Sequence, residues 1–431
     1  MSKVFALFFT GAVLLFLPME SGLTQEAANG FDVEQASRAY IDMLGGDQLE
    51  KSNSYYEGGY WLILWGAVVG LLVDFFILQS RLSARFRDWA ERITKKKWLQ
   101  PGLYALPYSI AGFLMTLPWS IYTGFYREKQ YDLLDQGFGA WFGEVAIGFA
   151  ISLVIIPLLI IAIFAVIRRA PKTWWLWGTG VTAIFLLFGM LIAPVFIAPL
   201  FNEYTEMEAG PLRDKIVAMA EEHAVPADNI YVFNQSKQHK RVSANVSGLG
   251  PSIRISLNDN LLERTAPEEV AAVMGHELGH YVLQHIWRSF FIILAILALG
   301  LFLVSRFAPK LIDRYGERWG VRGISDPAAI PVFSMLLTLF FFLATPAQNT
   351  LVRVNESEAD AFGLDAAKEP DGFAKVAMRL SEYRKIEPGP WEEFIFHHHP
   401  SGSTRVHMAM QWKADNVKNP VMVKPEPLDK E

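Results

Sequence analysis

Between Ala150 and Ile167 the chain reads AISLVIIPLLIIAIFAVI, a stretch with no charge in it. About 20 apolar residues wound as a helix cross the hydrocarbon core of a bilayer, whereas a helix on a soluble core keeps a polar stripe. Similar apolar blocks recur at residues 60–79, 101–125, 141–167, 174–200, 287–307 and 327–345. Only 19% of the residues are charged, below the roughly 25% of ordinary soluble domains. The pattern predicts a mainly α-helical, multi-pass membrane protein with the lipid bilayer as its main partner. A shorter apolar stretch, Val4 to Pro18 behind Lys3, suits either the h-region of a signal peptide or a retained first helix.

The polar stretches divide the rest. Residues 1–30 form the signal peptide or first helix, and 31–200 an N-terminal membrane domain with an extramembrane segment. Residues 201–285 form a first polar segment, 286–347 two further passes, and 348–415 a second polar segment. Residues 416–431 read as a disordered tail. In the first polar segment GPLRDKIVAMAEEHAVP reads as a helix with Ile216, Met219 and Ala220 on one face, and NIYVFNQ as a short strand. Ile253 to Leu257 alternates in the manner of a half-buried strand. A helix then opens at TAPEE, where Thr265 and Glu268 have capping-box spacing and Pro267 occupies the first turn.

That helix carries the chemistry, in AVMGHELGHYVLQH. His276 and His280 are four residues apart, so they project from one face, and two imidazoles so placed can share a tetrahedral zinc ion. Glu277 lies where its carboxylate reaches a metal-bound water rather than the metal. Zinc lowers the pKa of that water toward about 7, and a neighbouring carboxylate takes its proton during attack on a carbonyl. Two solvated histidines on a surface helix are the bland alternative. Against it, Val273, Met274, Leu278, Val282 and Leu283 surround the trio with apolar bulk.

A catalytic zinc needs a third protein ligand and an open position. Leu283 and Ile286 occupy the positions where HExxHxxGxxH would require glycine and histidine, so that downstream ligand is excluded. His285 is rotated off the ligand face and reads as a supporting residue. In RVNESEADAFGLDAA, Glu356 and Asp360 are four apart on a helical stretch, while Glu358 points elsewhere. Glu356 is assigned as third ligand and Asp360 as the carboxylate that orients a ligating histidine. Two predicted passes separate His280 from Glu356, and an even number returns the chain to the same side.

With HELGH followed by NESEADAF, the chain resembles the type I CAAX prenyl protease family of integral-membrane zinc endopeptidases, distantly related to the shorter HtpX branch. LPWSIYTGFYREKQY, IAPVFIAPLFNEYT, SKQHKRVSANVSGLG and HHHPSGSTRV extend the likeness in the same order, from about Leu49 to Met410. The resemblance implies a ring of six or seven transmembrane helices around a chamber, with a small α/β zinc-peptidase domain split around the last two passes. It implies one Zn²⁺ and a peptide or protein substrate, lipidated or not, cut in CAAX-type processing or, alternatively, in membrane-protein quality control of the HtpX kind. It places Asn245, His399 and Arg405 beside the zinc, where imidazole and amide groups donate to an oxyanion. His397 and His398 are expected in an exposed loop. The strand from Ile253 to Leu257 is expected to be the sheet edge along which substrate pairs. The short connection before the zinc helix points to a prokaryotic-type member, and so to the inner membrane of a bacterium.

Two rival readings bear on function and orientation. A transporter or zinc sensor would use intramembrane carboxylates such as Asp74 and Glu144, but a pure binding site does not need Glu277. With no cysteine and a net charge of −5, thiol chemistry and a nucleic-acid footprint are both excluded. Basic residues crowd the loops at Arg81–Lys97, Arg168–Lys172 and Arg306–Arg322. The positive-inside rule holds those loops in the cytoplasm and puts HELGH outside. The resemblance puts the zinc site at the cytosolic face instead.

Overall fold

The computed structural model describes residues 30–248, 253–426 and 428; the segment from Val4 to Pro18 lies outside them. The chain begins with α1 (Val33–Ile41), capped by Asp32, whose carboxylate accepts from the Gln35 amide at 2.9 Å. The N-terminal membrane domain follows as α2 (Gly46–Gln79), α3 (Leu82–Ile93), α4 (Gln100–Ile121), α5 (Phe138–Arg169) and α6 (Trp174–Ile192). Then come β1 (Tyr204–Glu206), α7 (Pro211–Glu222), β2 (Ile230–Phe233), β3 (Ala244–Ser247), β4 (Arg254–Asn258), α8 (Asp259–Arg264) and α9 (Pro267–Val282). The remainder is helical: α10 (His285–Trp319), α11 (Ile330–Ala367), α12 (Pro370–Leu380), α13 (Pro390–Phe396) and α14 (Gly402–Asn416).

Among the described residues, five stretches are long and apolar enough to span a membrane: α2, α5, Trp174–Leu200, α10 and Pro327–Ala367. The sixth expected pass is α4, a helix of 22 residues diluted by Pro101, Pro107 and Pro118 and extended by one π-helical turn, Tyr122–Tyr126. Trp61 (64%), Ile184 (67%), Phe196 (67%) and Leu343 (68%) stand exposed on these helices, a surface that only lipid covers favourably. Side chains of α2, α4, α5, α6, α10 and α11 line one apolar cavity of about 930 Å³.

Polar groups inside the helices are satisfied locally. Asp74 accepts from the Tyr108 hydroxyl at 2.6 Å. Glu144 accepts from Gln136 at 3.1 Å and from Gln238 at 2.9 Å, which ties α5 to the polar segment. Each carboxylate is committed to neighbours rather than aligned along a path, which removes the observation favouring a transporter.

The basic loops meet at one end. Arg87 pairs with Asp326 at 2.7 Å, Arg81 donates to the Arg318 carbonyl at 2.9 Å, and Arg322 pairs with Glu91 at 2.7 Å. The α9 end lies one length of α10 away, 35 residues or roughly 50 Å at 1.5 Å per residue.

The polar segments fold together at that other end. The sheet has order β1-β2-β4-β3, with β2 and β4 parallel and the outer pairs antiparallel. Its inner face packs on α7 and α9 through Ile216, Ile230, Ile255, Leu257, Val270 and Met274. A second core joins α1, α12 and α14.

Two expectations need correction, and at two further places the structure adds detail. β4 is interior, buried on both faces and paired on both sides, so the edge strands are β1 and β3, and β3 is the one beside the small pocket that holds Glu277 and Glu356. The capping box is absent: Ala266 is the N-cap of α9, and the Thr265 hydroxyl turns back to the Leu261 carbonyl at the end of α8. The boundary at 347/348 is not a break, because α11 runs unbroken for 38 residues from the membrane pass through Glu356. The tail is not wholly free of the fold: Leu428 donates its amide to the Met43 carbonyl at 3.3 Å and packs in the second core.

Candidate metal centre and active site

α9 and α11 cross closely enough to bring two distant motifs together. A Cβ placed on Gly275 would stand 2.8 Å from the Gly363 carbonyl, and one on Gly363 would stand 2.7 Å from the His276 amide. Neither position accepts a side chain without separating the helices. This approach carries His276 and His280 to Glu356 and Asp360.

His276 Nε2 lies 3.1 Å from His280 Nε2 and 3.2 Å from Glu356 Oε2, and His280 Nε2 lies 3.5 Å from Glu356 Oε1. Four ligands around zinc at about 2.0–2.1 Å have edges of roughly 3.3 Å. The two imidazole nitrogens and the Glu356 carboxylate approach one another at distances close to such an edge, and among the described residues they are the group placed to hold a metal. The surrounding charge fits too. Glu277, Glu356 and Asp360 gather around two imidazoles, an excess of negative charge that a divalent cation neutralises.

Each imidazole is supported from behind. His276 Nδ1 donates to Asp360 at 2.7 Å, and Arg405 grips that carboxylate with two bonds, at 2.9 and 2.6 Å. The other support is His285, read from the sequence as a supporting residue, but its partner was not legible there. His280 Nδ1 lies 2.9 Å from His285 Nδ1, whose Nε2 lies 3.0 Å from Glu358, itself paired with Arg288 at 2.7 Å. If His280 binds metal through Nε2, its Nδ1–H donates to His285 and His285 donates to Glu358. Glu358 does point away from the metal, and this is what it points to.

Burial separates the protonation behaviour of the group. Burial would depress His276, but hydrogen bonds to Asp360 and Glu356 raise it to about 10. Burial, reinforced by the charge on His276, pushes His280 down to about 4. Burial pushes Glu277 up to about 7, the range suited to a proton acceptor at neutral pH.

Two pockets open from Glu277 and Glu356. The larger, about 510 Å³, is mostly apolar and runs along Trp287, Phe290, Ile293 and Leu186 toward the membrane helices. The smaller, about 190 Å³, holds His399, Arg384 and Arg405. His399 Nδ1 stands 2.8 Å from Glu356 Oε2. Asn245 sits half-buried in the middle of the edge strand β3, beside Ala244, which lines the small pocket. His398 is exposed as expected, but His397 is not: it is buried against Tyr56 and its carbonyl accepts from Arg353 at 2.6 Å.

Comparison with known proteins adds a lineage to this geometry. Residues 206–413 match the model of peptidase family M48, and residues 34–203 match that described as CAAX prenyl protease N-terminal, five membrane helices. The chain is 27% identical over 396 residues to the uncharacterized metalloprotease YhfN of Bacillus subtilis, covering 91% of each. It is 24% identical over 412 residues to the CAAX prenyl protease 1 homolog of Oryza sativa, covering 92% of this chain and 96% of the other. The crystal structure of S. mikatae Ste24p shares the fold, with a TM-score of 0.69 and 19% identity over 88% of this chain and 96% of that one.

Proposed function

We propose that this chain, which carries an M48 peptidase domain behind a CAAX prenyl protease N-terminal domain and is homologous to CAAX prenyl protease 1, hydrolyses membrane-associated peptides with one zinc held by His276, His280 and Glu356. The observation that carries this reading is the 3.1–3.5 Å approach of the two imidazole Nε2 atoms and the Glu356 carboxylate to one another beside the half-buried Glu277. Zinc, when bound, acidifies water and polarises a carbonyl. Glu277 accepts the proton of the attacking water and returns it to the leaving amine. Asp360 and Arg405 hold the His276 ring, and His285 with Glu358 holds His280. With Nδ1 of His399 turned to Glu356, its Nε2 is left to face substrate, and with the Asn245 amide it serves as the oxyanion donor. Substrate pairs along β3, since a free strand edge offers unpaired backbone groups to an extended peptide.

The apolar groove beside the zinc site accommodates a lipid chain or an apolar transmembrane segment, and a prenyl group is not required for cleavage. The test is mass spectrometry of products from a farnesylated peptide and its unmodified counterpart, incubated with the purified full chain. Both should be cut, cutting should stop with a chelator, and zinc should restore it. Products that persist after chelation would sink the proposal. Cleavage confined to the farnesylated peptide would instead assign CAAX-type processing.

The side of the membrane follows from charge. Holding the Arg81–Lys97 loop in the cytoplasm places the zinc site and the C-terminus outside. A C-terminal tag should then react with a non-permeant label in intact cells or spheroplasts, and a tag within 87–97 should not. The reverse pattern would place the site in the cytosol.

A further inference from the structure

Arg384 is a cation in the active-site cleft without an anion of its own. It lies in the small pocket with His399, Glu356 and Glu277, walled by Val273, Phe373, Val376 and Leu380. Among the described residues its guanidinium forms no ion pair, and the Tyr383 ring lies 5.8 Å from it. Arg405, in the same pocket, is committed to Asp360 through both bonds. The two acids of the pocket, Glu356 and Glu277, belong to the metal-binding group and to the proposed proton acceptor. A guanidinium held beside apolar walls without an ion-pair partner of its own is costly.

The backbone fixes it there. Arg384 follows the short turn Ser381–Tyr383 in extended conformation. The buried Ser52 hydroxyl on α2 contacts the carbonyls of Ser381 at 2.5 Å and of Arg384 at 2.9 Å. The turn is therefore tied to a membrane helix rather than left as a loose loop, and the guanidinium is held ready at the cleft.

The two pockets differ in the substrate they suit. The apolar groove takes the part of a substrate that belongs in lipid, so the part on the other side of the scissile bond meets Arg384. The planar guanidinium fork matches a carboxylate with two parallel bonds. We propose that the Arg384 pocket is a carboxylate-binding subsite, taking the free C-terminal carboxylate of the substrate or an acidic side chain near the scissile bond. The assignment rests on the peptidase reading above and adds a specificity to it.

Binding, rather than turnover, tests it. The full-length zinc-loaded Glu277→Gln protein in detergent is titrated with three fluorescent apolar heptapeptides: a free acid, its C-terminal amide, and the amide carrying one internal glutamate. At least one acidic peptide should bind on the order of 10- to 100-fold more tightly than the neutral amide, as charged hydrogen bonds are worth. Whichever acidic peptide shows the gain identifies the source of the carboxylate. Arg384→Gln should erase the difference while zinc content and affinity for the neutral amide stay unchanged, and Arg384→Lys should restore part of it. Equal binding of all three peptides, or a preference that survives Arg384→Gln, overturns the subsite. The comparison of peptides on the Arg384-intact protein stands even if a variant fails to fold. Because hydrolysis plays no part in this readout, failure of the peptidase reading would appear separately, in the product analysis.

Discussion

Glu277→Gln should abolish peptide hydrolysis while leaving the protein folded and its zinc in place. The side chain keeps its shape and its apolar surroundings, so neither α9 nor the crossing with α11 has reason to move. What is lost is the proton acceptor, since an amide cannot take a proton from water. Removal of such a base costs about 10²–10⁴-fold in rate. The position is suited to that role, because burial lifts the carboxyl to about 7. Turnover and zinc content measured on the same preparation check it. Near-normal turnover with full zinc would show that Glu277 does not carry the proton.

Glu356→Ala should empty the metal centre. The variant removes one of three donors and leaves His276 and His280 with an incomplete set, besides a cavity where the carboxylate stood. Loss of a merely supporting partner weakens metal binding by roughly 10–100-fold, so loss of a ligand should exceed that. Metal analysis after dialysis against a weak chelator reads the effect directly, with circular dichroism to show that the helices persist. Retention of one zinc per chain would remove Glu356 from the ligand set. It would then turn attention to His399, 2.8 Å from the same carboxylate.

These expectations rest on parts of the molecule that were not equally legible. The HELGH pair could be read without a structure, because spacing of i and i+4 on a helix puts two side chains on one face whatever the surroundings. The same logic placed Glu356 and Asp360 together and turned Glu358 away. The destination of Glu358 was not legible, because His285 stands on a different helix, 73 positions earlier in the chain. Arg384 belongs to no spaced motif, so only its lack of a partner in the folded chain makes it visible.

The failures share a cause. Thr265 had the spacing of a cap, but a hydroxyl can equally bond back to a preceding carbonyl, and the end of α8 lies within its reach. Ile253 to Leu257 alternates like a half-covered strand, yet β2 and β3 pair on either side of β4 and both its faces are buried. Apolar helices and the helical periods that carry the candidate metal-binding residues are local properties of consecutive residues, determined by hydrophobic length and by 3.6 residues per turn. Which strand is the edge, what stands behind His280, and how closely Gly275 and Gly363 meet depend on pairings between distant segments. Those are decided only when tertiary packing selects among partners that local sequence leaves equivalent.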